Sequence, residues 1–150
     1  MAFSYEYYKE DIKNYLIERF KGNAKVLDVG AGEGIYWKLL HRYFKVIDAV
    51  EVYNIDIKDF KYSNYDIIIF GDIIEHLDIK EAQEVLKYAY DHCKEMIVAV
   101  PYELEQGIVE DNIYEIHKQP DLTPVNVLER YPMLKELYKN DLYGYYIKGE

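Results

Sequence analysis

Three short stretches of the chain hold side chains suited to binding a ligand or moving a proton. The first is Val26-Leu27-Asp28-Val29-Gly30-Ala31-Gly32-Glu33-Gly34, an apolar run holding one acid and opening into three alternating glycines. Glycine tolerates positive φ and allows close backbone approach, so this turn can lie against a flat, nucleoside-like ligand. The acid inside the run suits a cationic part of that ligand. The second stretch is Asp72-Ile-Ile-Glu75-His76, two carboxylates and an imidazole within five residues, and further on Glu115-Ile-His117 repeats the pairing of acid and imidazole. Such groups can orient a nucleophile or move its proton.

Two common phosphate-binding patterns are excluded. The dinucleotide fingerprint requires Gly-x-Gly-x-x-Gly, and Ile35 stands where its third glycine belongs. A Walker A loop needs Gly-Lys-Ser/Thr, which does not follow Gly34. The pattern that remains resembles the first motif of class I S-adenosylmethionine-dependent methyltransferases, hydrophobic-hydrophobic-Asp/Glu-hydrophobic-Gly-x-Gly-x-Gly, matched at every position of residues 26–34. Phe70-Gly-Asp-Ile-Ile-Glu-His-Leu77 is similar to the end of the fourth strand in many small members, and Asp72 follows Gly34 by 38 residues, in the expected order.

The resemblance implies S-adenosylmethionine as cofactor and assigns roles by position. Gly30, Ala31 and Gly32 let the backbone pass close to it, and Asp28 orients its methionine part, directly or through water. Glu51, twenty-one residues after Gly30, fits the acid that accepts from both ribose hydroxyls. Asp56 is the residue for the adenine amino group, with Asp59 as the competing choice. Asp72 is placed near the sulfonium and the incoming nucleophile, or else serves as a turn residue satisfying backbone amides. The acceptor is expected to be a small molecule or a protein side chain, since the Asp/Asn-Pro-Pro-aromatic signature of many DNA amino methyltransferases is absent from Gly71-Asp72-Ile73-Ile74. His76 is the candidate base, or a packing residue. Tyr102, Glu115 and His117 are candidates for contacting substrate. As a pair, Glu115 and His117 could instead bind a metal or face water. No cysteine pair or His-x-x-x-His spacing supports a zinc site, and no metal is expected.

The periodicity of apolar residues predicts the helices and strands that carry these side chains. Tyr5, Tyr8, Ile12, Leu16 and Phe20 recur at three-and-four spacing, predicting an amphipathic helix over 4–21, entered at Ser4 and closed by Gly22. Strand one is expected over Lys25–Val29, a helix over 34–43, strand two over 45–52, and strand four over the apolar run after Asp66. Only fourteen residues separate Glu51 from Asp66, too few for a full helix, a third strand and its link. The helix after strand two is therefore expected to be missing, with strand three, near 54–59, short or lost.

Asp78 and Glu81 form a capping-box pattern before a helix with Ile79, Ala82, Val85, Leu86, Ala89 and Cys93 on one face. Strand five is expected over Met96–Val100, stopping at Pro101. Residues 102–132 lose periodicity around Gly107, Pro120, Pro124 and Pro132 and read as a partly helical insert or lid over the carboxyl ends of the strands. The tail from Leu134 to Ile147, turning near Asn140, reads as an antiparallel hairpin. The expectation is one α/β domain over 1–150: a Rossmann-like, doubly wound, mostly parallel sheet closed by that hairpin.

Composition bounds the rest. With 28 acidic and 18 basic residues the net charge is -10, which disfavours nucleic acid as partner. No apolar run approaches the roughly 18 residues of a membrane span, no signal peptide is evident, and the single cysteine fits a cytoplasmic setting. A monomer or homodimer is expected. Richness in Ile, Lys, Glu and Tyr, with three glutamines, resembles thermophile usage. The competing function is a catalytically silent cofactor-binding or protein-interaction module with the same fold; a nicotinamide oxidoreductase is opposed by Asp28 and the glycine spacing.

Overall fold

The computed structural model describes residues 5–20, 24–29, 44, 46–50, 65–104, 107 and 116–149. Its elements are α1 (Tyr5–Phe20), β1 (Lys25–Val29), β2 (Val46–Val50), β3 (Ile67–Gly71), a single 3₁₀ turn (Ile74–His76), α2 (Ile79–Asp91), β4 (Glu95–Pro101), α3 (Pro124–Arg130), β5 (Leu134–Lys139) and β6 (Tyr143–Lys148). They form a six-stranded sheet in the order β2-β1-β3-β4-β6-β5. The first three pairings are parallel, and β6 enters antiparallel between β4 and β5.

Side-chain alternation along the strands sorts the core into two layers. Leu27, Val29, Ile68, Phe70, Met96, Val98 and Val100 pack with Ala82, Val85, Leu86 and Ala89 of α2 and Val127 of α3. Val26, Ile67, Ile69, Ile97 and Ala99 pack on the other face with Ile12 and Leu16 of α1 and with Phe44. Helices thus cover both faces of a central sheet whose middle strands are apolar at their buried positions except for the acids Asp28 and Glu95, as a doubly wound fold requires.

Several local expectations hold. β1 has the expected bounds. Asp78 caps α2 with both bonds of the capping box, its side chain accepting from the Glu81 amide and Glu81 accepting from the Asp78 amide. The terminal hairpin turns where Asn140 Oδ1 accepts from the amides of Leu142 and Tyr143 at 2.7 and 2.9 Å, as Asn side chains do in turns. Within residues 102–132 the structure shows α3, capped by Thr123 with Pro124 in its first turn.

Other expectations shift. α2 ends at Asp91, so Cys93 lies beyond the helix, buried and free, with its carbonyl accepting from Lys148 Nζ at 2.7 Å. Burial pushes the Cys93 thiol up to about 12. Ile79 is 40% exposed rather than part of the apolar face, because it occupies the first position of α2, where the helix leaves the sheet. Ser4, Gly22, the expected helix over 34–43 and the expected third strand near 54–59 lie outside the described residues. Among the described residues, no helix is long and apolar enough to cross a membrane.

Candidate active site

The site is built from the carboxyl ends of β1 and β3, neighbouring parallel strands at the point where chain order reverses, the usual ligand position in open α/β sheets. Asp28 pairs in register with Ile69 of β3 and Ala49 of β2, and its residue is 2% exposed. Alternation puts it on the α1 side of the sheet. A buried acid in an otherwise apolar strand is costly unless its charge is compensated.

β3 ends at Gly71, and the next residue turns the chain out of the sheet. Asp72 has φ 56°, a left-handed conformation that Asp tolerates better than most residues, and its amide donates to the Ala99 carbonyl on β4 at 3.0 Å. The 3₁₀ turn that follows carries Glu75 and His76 to the strand end.

Glu75 is 1% exposed, and neither of its carboxylate oxygens has a hydrogen-bond partner among the described residues. Burial first, and the neighbouring Asp72 charge second, hold its carboxyl well above the usual carboxylate range. The contrast with Glu95 is instructive. That residue is equally buried at 2%, yet it accepts from the Tyr15 hydroxyl at 2.6 Å and from the amides of Met96 and Lys148 at 3.0 and 3.1 Å, and it pairs with Arg19 at 3.1 Å. Among the described residues, the Glu95 carboxylate has four donors and the Glu75 carboxylate has none.

The insert returns to this point at residues 116–119. The amides of Lys118 and Gln119 both donate to the Glu75 carbonyl, at 2.8 and 3.1 Å. Gln119 is 2% exposed; its amide nitrogen donates to the carbonyls of Ile74 and Leu77, and its oxygen accepts from Tyr131 and Arg130. The segment is thereby stitched to the 3₁₀ turn, and His117 is brought against His76 with ring centroids 4.6 Å apart at 79°. Each ring is oriented from behind. His76 Nδ1 lies 3.2 Å from the Ile116 carbonyl and His117 Nδ1 2.8 Å from the Leu104 carbonyl. A carbonyl only accepts, so Nδ1 is the donor in both rings, and in the neutral imidazole Nε2 keeps the acceptor lone pair.

Asp72, Glu75, His76 and His117 therefore share one place, although 41 residues separate the two histidines. Tyr102 has a different setting: it is buried in the core and its hydroxyl pairs with that of Tyr146 on β6. Gly30, Ala31, Gly32, Glu51, Asp56, Asp59 and Glu115 lie outside the described residues. Gln119 was not singled out by any sequence pattern. A glutamine before a proline in an aperiodic insert carries no signal of burial.

No family model matches the chain, and no curated protein does. Solved structures do. The methyltransferase domain of bacterial CtHen1 superposes with TM-score 0.62 at 21% identity, over 95% of this chain and 99% of that one. An S-adenosylmethionine-dependent methyltransferase from Clostridium acetobutylicum ATCC 824 gives 0.66 at 14% identity, over 94% and 92%. The PH0226 protein from Pyrococcus horikoshii OT3 gives 0.64 at 15% identity, over 97% and 90%. With the sheet order, the reversed final hairpin and these superpositions together, the chain has the α/β fold of S-adenosylmethionine-dependent methyltransferases.

Proposed function

We propose that the protein is an S-adenosylmethionine-dependent methyltransferase acting on a small molecule or a protein side chain. The observation that carries this reading is Asp28, a buried acid on β1 of a methyltransferase fold, two residues before Gly-Ala-Gly-Glu-Gly in the sequence. In this reading Asp28 holds the methionine part of the cofactor, the backbone of Gly30, Ala31 and Gly32 runs alongside it, Glu51 accepts from the ribose hydroxyls and Asp56 meets the adenine. The donor set fits: an acid for an ammonium, a second acid for a diol, and small residues where a nucleoside must lie close.

The bound cofactor supplies an activated methyl group on a sulfonium. The chain's own task is to align an acceptor behind that methyl group and exclude water, which accounts for much of the barrier reduction in such transfers. Asp72 faces this region from the end of β3. His76, fixed through Nδ1, presents Nε2 as a group able to take a proton from the acceptor. Residues 102–132 act as the cover beneath which the acceptor enters.

The test is production of S-adenosylhomocysteine when the protein is incubated with S-adenosylmethionine and pools of amine, hydroxyl and peptide acceptors. Turnover on any pool that is lost in Asp28→Ala supports the reading. Cofactor binding without turnover on any pool would replace it with a silent cofactor-binding module.

A further inference from the structure

The grouping of Glu75, His76 and His117 exceeds what general-base chemistry requires, and all three residues carry the marks of ligands. One donor atom from each lies within 4.8 Å of the others. Donors around a first-row cation with bonds of about 2.1 Å stand roughly 3.0 to 3.4 Å apart, so inward movement by about an ångström would seat an ion. Both imidazoles donate Nδ1–H to backbone carbonyls, of Ile116 and Leu104, the outer-shell arrangement that fixes the tautomer of metal-binding histidines. The buried Glu75 beside them has both oxygens without a hydrogen-bond partner among the described residues, in a chain that elsewhere surrounds a buried glutamate with four donors.

We infer that Glu75, His76 and His117 form a binding site for a divalent first-row cation at the carboxyl end of β3. Two nitrogens and one oxygen select manganese, iron, cobalt, nickel or zinc over magnesium and calcium, which prefer all-oxygen surroundings. Three protein ligands leave positions open for an acceptor.

A second step rests on the methyltransferase reading given above. The site adjoins Asp72, where the methyl group would be presented, so the acceptor is a hydroxyl compound. Coordination lowers the pKa of a bound hydroxyl. The O–H bond breaks with its proton passing to water, the oxygen forms a bond to the methyl carbon, and the carbon–sulfur bond breaks with its electron pair returning to sulfur. The products are a methyl ether, neutral S-adenosylhomocysteine and one proton.

The test is titration of the chelator-treated, dialysed protein with Mn²⁺, following the loss of the free-ion electron paramagnetic resonance signal, with Zn²⁺ and Mg²⁺ as competitors. One Mn²⁺ per chain at micromolar affinity is expected, displaced by Zn²⁺ and poorly by Mg²⁺. Binding should weaken at least tenfold in His117→Ala and Glu75→Gln and remain unchanged in His92→Ala, whose ring stacks on Tyr88 away from the cluster. Circular dichroism confirms that each variant is folded; His117 is only partly buried, so its removal leaves the core intact. Absence of stoichiometric Mn²⁺ or Zn²⁺ binding, or binding unchanged in folded His117→Ala, overturns the site. S-adenosylmethionine binding to the metal-free protein, measured separately, reports on the underlying methyltransferase reading. Methyl transfer that persists in chelator, or that falls on nitrogen acceptors alone, overturns the acceptor class.

Discussion

Replacing Gln119 by leucine should cost about 2 to 4 kcal/mol of folding stability, and the figure follows from what each of its partners keeps. The substitution preserves approximate volume, so the loss is polar. The Ile74 carbonyl retains a bond from the Leu77 amide at 3.1 Å, and Arg130 retains Asp121. Two groups are left without the partner they had. The Leu77 carbonyl loses its donor at 3.0 Å, and the Tyr131 hydroxyl, on a residue 0% exposed, loses its acceptor at 2.7 Å. An unsatisfied buried polar group costs about 1 to 3 kcal/mol; the carbonyl, which is only partly buried, sits at the low end. With a urea slope of about 2 kcal/mol/M, the midpoint of a urea titration should fall by roughly 1 to 2 M. Asp121→Asn is the control. Asp121 is 61% exposed, and exposed ion pairs contribute about 1 kcal/mol or less. If Gln119→Leu costs under about 0.5 kcal/mol, or no more than Asp121→Asn, Gln119 does not hold the insert to the 3₁₀ turn.

Three further outcomes follow from the same geometry. Glu95→Ala should cost about 3 kcal/mol or more by thermal or urea denaturation, because it strands the Tyr15 hydroxyl and two backbone amides and leaves Arg19 without its buried partner; a loss below 1 kcal/mol would contradict this. Gly144→Ala should cost about 1 to 3 kcal/mol, since a Cβ would meet the buried Tyr102 hydroxyl at 1.8 Å and the Tyr146 ring at 2.8 Å; an unchanged melting temperature would show that Tyr102 moves freely. Glu75→Gln should stabilise the metal-free protein in a pH-dependent way. A carboxyl raised above its unfolded value of 4.5 makes the wild type lose stability as pH climbs from about 4.5 to the folded pKa. The advantage of the glutamine variant should therefore be small at pH 4 and larger at pH 8, and an advantage that does not grow between those two values would refute it.

What the sequence reveals and what it conceals divide along the range of the interactions. β1, the capping box of α2 and the Asn140 turn depend on neighbours within a few residues, and their patterns point to the right places. The site is different. His76 and His117 each stand out as imidazoles beside acids, but they come together only because residues 116–119 are fastened to Ile74, Glu75 and Leu77 through Gln119 and two backbone amides. No spacing rule spans the 41 residues between those histidines. The open state of Glu75 is likewise a tertiary property: its sequence neighbours do not distinguish it from Glu95, whose four donors arrive from α1, β4 and β6.

The most direct measurement is calorimetric titration of the purified protein with S-adenosylmethionine and S-adenosylhomocysteine, repeated on Asp28→Ala and Glu51→Ala. Stoichiometric micromolar binding by the wild-type chain, weakened at least tenfold in each folded variant, is the predicted result. A wild-type chain that binds neither compound would contradict the account.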